Sequence, residues 1–171
     1  RNNKQFAAGR DPESGHMNRL YSFEPTFSTT GGMADHRFPT AAADIGPTVW
    51  ALAAQLFLVE GLPLPSSAGI KYGDLTKWKE HASHIPHLDA LARDLIAHRG
   101  HSLLVAGLRQ DPEVHAALHV MNQALDNVGK TISFLPLDLP EINYIDDLTA
   151  DLNAGRIRTL MILGGNPAYT A

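Results

Sequence analysis

From Ser102 onward the chain alternates short apolar runs with helical periodicities, and this order constrains the fold more than any other feature of the sequence. SLLVAG, residues 102–107, is apolar, too short for a helix and ended by glycine. Asp111 then stands at an N-cap position, Pro112 at the first helical position and Glu113 in the first turn. Val114, Leu118, Met121 and Leu125 recur at helical spacing before Asn127 and Gly129 end the pattern. TISFLPL (131–137) is a second apolar run, IDDLTADLNAGRI a short helix stopped by Gly155, and RTLMILGG (158–165) a third run. Strand, helix, strand, helix, strand calls for parallel strands joined by right-handed crossovers. Runs apolar on both faces are what a sheet covered on both sides requires. The expected fold class is therefore α/β, a three-layer, mostly parallel sheet with helices on both faces.

Upstream the signals are more varied. Residues 1–17 are polar with one Phe and no periodicity, so they are expected to form a mobile arm. NRLYSFE (18–24) alternates as a short strand does and is ended by Pro25. TFSTTGGMADHRF reads as loop around Gly31 and Gly32. A helix is predicted from about Asp44 or Pro47 to Glu60, with Val49, Leu52, Ala53, Leu56 and Phe57 on one face and Asp44 as N-cap. Prolines, serines and glycines after Gly61 mark residues 61–83 as a linker or excursion, and a second helix is predicted over Pro86–His98. The organisation is then an arm (1–17), a strand–loop–helix segment (18–60), a linker (61–83) and a second α/β unit (84–171).

Several functions are excluded or disfavoured by composition. Lys and Arg total 14 against 18 Asp and Glu, a net charge of -4, which leaves no basic footprint for nucleic acid. No uninterrupted apolar run approaches the ~18 residues of a membrane span, so none is expected. With 0 cysteines there is no disulfide, no thiolate nucleophile and no cysteine-ligated zinc or iron–sulfur site within these residues. The amino end has no apolar signal core and does not begin with Met, so the chain is expected to be processed or excised from a longer one.

In open parallel sheets ligands sit beyond the carboxyl ends of the strands. Those ends here read VAGLRQDPE, SFEPTFSTTGG and ILGGNPAYT, and Gly107 precedes a helix N-terminus whose free N–H groups suit an anion. Glycine at a strand end also serves a tight turn whether or not a ligand binds, and neither GxGxxG nor GxxxxGK[ST] is present. His115 and His119 stand four apart on one helix, a spacing two metal ligands can use, but HExxH and a third ligand are missing. They read as boundary histidines, and His81, His84 and His87 as surface ones. Asp35, Asp44, Asp146, Asp147 and Asp151 give no convincing catalytic pair, and no GxSxG elbow exists. No catalytic residue or metal site is expected.

Two blocks carry a family resemblance. NRLYSFEPTFSTTGGMADHRFPTAAADI (18–45) resembles the molybdopterin oxidoreductases where a strand ends in an acid and Pro, followed by a threonine-bearing loop, an Ala-Asp pair and a turn before a helix. SLLVAGLRQDPEVHAALHVMNQALDNVGKT with LNAGRIRTLMILGGNP resembles the next α/β unit of that family, the dinucleotide-binding architecture of formate dehydrogenase and dimethyl sulfoxide reductase. MNRLY, MADHR, PEVHAALH, NVGKT and LGGNPAYTA are similar to one branch, the iron–sulfur subunit of the quinol-oxidising respiratory assembly called alternative complex III. The resemblance spans residues 17–60 and 84–171 and leaves the arm and linker aside.

The resemblance implies a set of contacts to molybdopterin guanine dinucleotide. By position Glu24 is the strand-end acid, Asp35 the acid of the Ala-Asp pair and Asp44 the turn aspartate, with Gly107, Asn122, Gly164, Gly165, Asn166 and Pro167 toward the dinucleotide. Ala42 and Ala43 replace the Gly and Thr of the family turn, and losing that Gly should redirect the backbone there. These positions are therefore expected to be vestigial. The implied role is a non-catalytic, structural and docking domain of an electron-transfer complex, binding no cofactor itself, with iron–sulfur clusters only in the parent protein. The alternative is a dinucleotide-binding domain of an active molybdenum oxidoreductase. Partners would be other subunits of a membrane-associated complex on the periplasmic side of a bacterial inner membrane. An edge left unpaired after Ala171 should recruit a second copy, giving a homodimer of the isolated chain.

Overall fold

A computed structural model describes residues 6–66, 69–136, 144–166 and 169. The chain divides into two compact units, Arg1–Phe134 and Leu135–Ala171, and not at the expected linker.

In the first unit, β1 (Arg10–Asp11) and β2 (His16–Met17) form a small antiparallel hairpin around a 3-10 turn at Pro12–Ser14. The described part of 1–17 thus holds regular structure that no apolar periodicity announced. The hairpin is held by Arg10, whose guanidinium reaches both carboxylate oxygens of Asp35 at 2.6 and 2.9 Å. One bidentate ion pair can anchor a polar segment without any apolar period to advertise it.

Next, β3 (Tyr21–Glu24) pairs in parallel with β4 (His36–Pro39), joined by the one-turn helix α1 (Thr29–Gly32). Tyr21 faces His36 and Phe23 faces Phe38 in register, and both pairs stack, at centroid separations of 4.8 and 4.6 Å. Ser28 caps α1 by accepting from the Gly31 N–H at 3.0 Å.

The core is helical. α2 (Ile45–Ala54) runs on as a π-helical turn, Gln55–Val59, in which the Glu60 N–H donates to the Gln55 carbonyl. α3 (Tyr72–His84) occupies much of the expected linker, where Leu75, Trp78 and Ala82 recur at helical spacing. α4 (Leu88–Ala97) and α5 (Pro112–Ala124) follow the predicted periodicities. Ala51, Leu52, Leu56, Phe57, Leu75, Leu88, Leu91, Leu118, Met121 and Leu125 meet in one apolar cluster. The window Ala42–Val59 is long and apolar enough to cross a membrane, with mean hydropathy 1.4, although Asp44, Thr48 and Gln55 interrupt it. Here its apolar side chains are central to that cluster.

The expected parallel sheet is where sequence and structure part. SLLVAG is extended, with Leu104 and Ala106 packed on the core and Leu103 and Val105 exposed, yet it belongs to no ladder among the described residues. From the TISFLPL run only Ile132 pairs, in an isolated bridge to Val128, and Leu137 lies outside the described residues. In the second unit α6 (Ile145–Asn153) forms as predicted, whereas RTLMILGG makes no ladder with any of the described residues and Leu160–Leu163 are exposed. Among the described residues the fold is thus mixed, mostly helical, with two two-stranded sheets. Apolar composition makes a segment apt for burial, but a strand exists only when a neighbour supplies the other half of its hydrogen bonds.

Candidate functional site

Parallel pairing sends the carboxyl ends of β3 and β4 to the same side, and Glu24 stands there. Its carboxylate is engaged by its own chain: it accepts from the Ser28 N–H at 3.1 Å, from the Ser28 hydroxyl, and from Arg37 Nε at 2.6 Å. These bonds, the Ser28 hydroxyl first and Arg37 next, hold the Glu24 carboxyl at about 2. The carboxylate also fills the space over Gly31, where an added Cβ would lie 1.8 Å from Glu24 Oε1. A side chain at 31 would therefore displace Glu24 from Ser28.

Asp35 is at the other end of the strand pair. Its backbone N–H bonds to the Leu20 carbonyl, whereas Thr40 bonds to the Glu24 carbonyl, so the two acids are separated by about 13 Å of strand. Arg10 and the Leu20 N–H occupy the Asp35 carboxylate, and Arg10 is the main reason it too is held at about 2.

Asp44 is the last residue of the 3-10 turn Ala42–Asp44, which follows β4. It stands at the N-cap position of α2 but makes no side-chain cap bond; its carbonyl accepts from Thr48 Oγ1 at 2.7 Å. Asp111 likewise precedes α5 without a side-chain cap.

Asn122, expected near a dinucleotide, is buried and fully used. Its Oδ1 accepts from the Leu104 N–H at 3.1 Å and from Asn127 Nδ2 at 3.0 Å, and its Nδ2 donates to the carbonyls of Leu104 at 2.8 Å and Leu118 at 3.0 Å. One side-chain amide thus takes the place of a neighbouring strand at Leu104. Asn127 extends the clamp to Ser102, and Thr131 donates to the Ser102 carbonyl.

Gly107 is exposed, and an added Cβ there would meet nothing within 4 Å. Gly164 and Gly165 lie in the second unit, Gly164 with φ +74° and both with open space at the Cβ position. The Asn166 carbonyl accepts from the Tyr169 N–H at 3.0 Å. Pro167 lies outside the described residues. Glu24 and Asp35 thus stand at opposite ends of a strand pair, and Glu24, Asp35 and Asn122 all have polar atoms bonded within the chain.

His115 and His119 border an apolar groove of about 240 Å³ with Leu104, Val105, Leu118 and Phe134, and His119 meets Phe134 edge-on. Among the described residues no group of three or more His, Asp or Glu could hold a metal. Two features escaped the sequence reading. Asp94 of α4 gathers Arg19, Tyr21 and His98, tying β3 to the helices; burial pushes its carboxyl up, and Arg19 with Tyr21 outweighs that, leaving it below its usual range. A cleft of about 460 Å³ is lined by Trp50, Lys77, Trp78 and Glu113, whose residues lie on three helices and form no motif.

The Glu24 and Asp35 shifts have a pH consequence. A depressed carboxyl contributes stability that is complete above its unfolded value, 4.5 for Glu24 and 3.8 for Asp35, and is lost as pH falls toward about 2. Thermal melts of Glu24→Gln and Asp35→Asn, followed by circular dichroism, should lie below the parent at neutral pH and converge with it toward the acid limit. Parallel curves across the whole range would refute the assignment.

No protein-family model matches the sequence, and no curated protein matches it.

Proposed function

We propose that the chain is a scaffold and docking domain of molybdopterin-oxidoreductase type, non-catalytic, within a respiratory electron-transfer complex that oxidises quinol on the periplasmic side of a bacterial inner membrane. The observation that carries the non-binding part is the internal use of Glu24, Asp35 and Asn122. A carboxylate already bonded to Ser28 and Arg37 would have to give up those bonds before meeting a guanosine. Docking is supported by the apolar surface at Leu103, Val105, Leu108 and Phe134, which are 52, 76, 97 and 64% exposed. In the same proposal the doubly covered parallel sheet is completed in the larger assembly, and in its absence the open edge pairs with a second copy.

The runner-up, a dinucleotide-binding domain of an active molybdenum oxidoreductase, is favoured by Gly107 and Gly165. Neither has a left-handed φ or a neighbour that forbids a Cβ, so internal packing gives no reason for glycine at either. Close approach of a ligand would. Calorimetric titration with guanosine di- and triphosphate separates the readings. The scaffold reading expects no saturable heat up to about 1 mM nucleotide. Saturable binding that Gly107→Ala weakens without lowering the melting temperature would establish the alternative.

A further inference from the structure

We propose that the cleft between α2, α3 and the start of α5 binds a small zwitterion that joins a quaternary ammonium to a carboxylate. This rests on residues separate from those of the scaffold reading. The chain has 2 tryptophans, and both line this one cleft. Its volume, about 460 Å³, lies within the range of small-molecule sites and leaves room for a ligand longer than the simplest member of the class.

The lining supplies each half of such a ligand with a partner. Indole faces attract weakly hydrated organic cations through the ring quadrupole. Glu113, in the first turn of α5, adds a full negative charge and takes part in no ion pair among the described residues. Asp74 reinforces the negative potential while its Oδ2 accepts from the Lys71 N–H at 3.0 Å at the start of α3. Lys77 is the complementary cation. It has no carboxylate partner among the described residues, and its Nζ rests 5.4 Å from the Trp78 ring centroid. An incoming quaternary ammonium takes over a ring face beside Glu113, and Lys77 turns to the ligand carboxylate, so each charge of the ligand meets an opposite one in the cleft. Two carboxylates against one ammonium disfavour phosphate-bearing ligands at this place.

The test is a titration of the intact chain followed by intrinsic tryptophan fluorescence, which here reports on the cleft from both its indoles. The probe is glycine betaine. Its controls are choline, which lacks the carboxylate, and 3,3-dimethylbutanoate, in which carbon replaces the quaternary nitrogen. Betaine should give a saturable change, and each control should bind at least about tenfold more weakly. Glu113→Gln should weaken betaine and choline but not 3,3-dimethylbutanoate, whose lone negative charge Glu113 only repels. Lys77→Met should weaken betaine and 3,3-dimethylbutanoate but not choline, which no longer displaces a cation from the Trp78 ring. Both replaced side chains are exposed, and circular dichroism should confirm the fold of each variant. Absence of a saturable betaine response, equal affinity for betaine and its carbon isostere, or parent-like binding by both variants would overturn the proposal.

Discussion

Asn122→Ala should lower the stability of the chain by about 3 kcal/mol and free the Ser102–Ala106 segment, because it strands several buried polar groups at once. The amide of Asn122 serves the Leu104 N–H and carbonyl, the Leu118 carbonyl and the Asn127 amide, and both asparagines are buried. Alanine satisfies none of these and leaves a polar-lined hole. For a chain of this length that loss corresponds to roughly 10 °C in melting temperature. Asn122→Asp keeps the shape but replaces two donors by a buried charge facing the Leu104 and Leu118 carbonyls, so it should cost at least as much near neutral pH. Hydrogen exchange supplies the local readout: protection at the Leu104 N–H should vanish in both variants while amides of α3 keep theirs. A melting temperature within about 2 °C of the parent would show that Asn122 is not the clamp described.

The reasons that some of this architecture could be read from the sequence, and some could not, are physical. α4 and α5 bury one face against a common core, which leaves a 3.6-residue apolar rhythm, whereas α2 and its π-turn are buried all round over 51–57 and were legible from their continuous apolar character. α3 carries the same rhythm in Leu75, Trp78 and Ala82, but lysines, a glutamate and a histidine between them and a proline-rich approach gave it the look of a linker. β4 is four residues of mixed character, and its pairing with β3 is a property of two segments rather than one. The apolar runs near 103 and 160 show the converse. Their composition suited strands, yet ladder formation depends on partners that no local pattern encodes. At the candidate site, the identity of Glu24 and Asp35 as notable acids was legible. That Arg10 would come back from a polar terminus to occupy Asp35, or that Ser28 and Arg37 would occupy Glu24, required knowing which residues the fold brings together.

Leu56→Ala should be more damaging still, by roughly 3 to 5 kcal/mol, the upper part of the range for emptying a leucine site in a core. Leu56 is fully buried at 0% exposure in the π-helical turn where α2 meets α3 and α4. The neighbourhood is poorly able to collapse into the vacated space. The π-turn already spends an extra residue to place Gln55 and Leu56 inward, and Gln55 Nε2 is committed to Glu60 at 3.1 Å. The Leu62 N–H returns to the Leu56 carbonyl, which fixes the backbone from the other side. The same substitution also separates two physical roles for Ala42–Val59. Within a packed core the cavity costs the full amount in detergent-free buffer, and denaturant melts shift cooperatively with an unchanged m-value. Were the segment instead a lipid-facing span, exchanging one apolar side chain for a smaller one would cost little, because hydrocarbon tails fill the space. A cooperative loss of the expected size therefore assigns this helix to the core of the first unit, and a negligible one assigns it to a membrane.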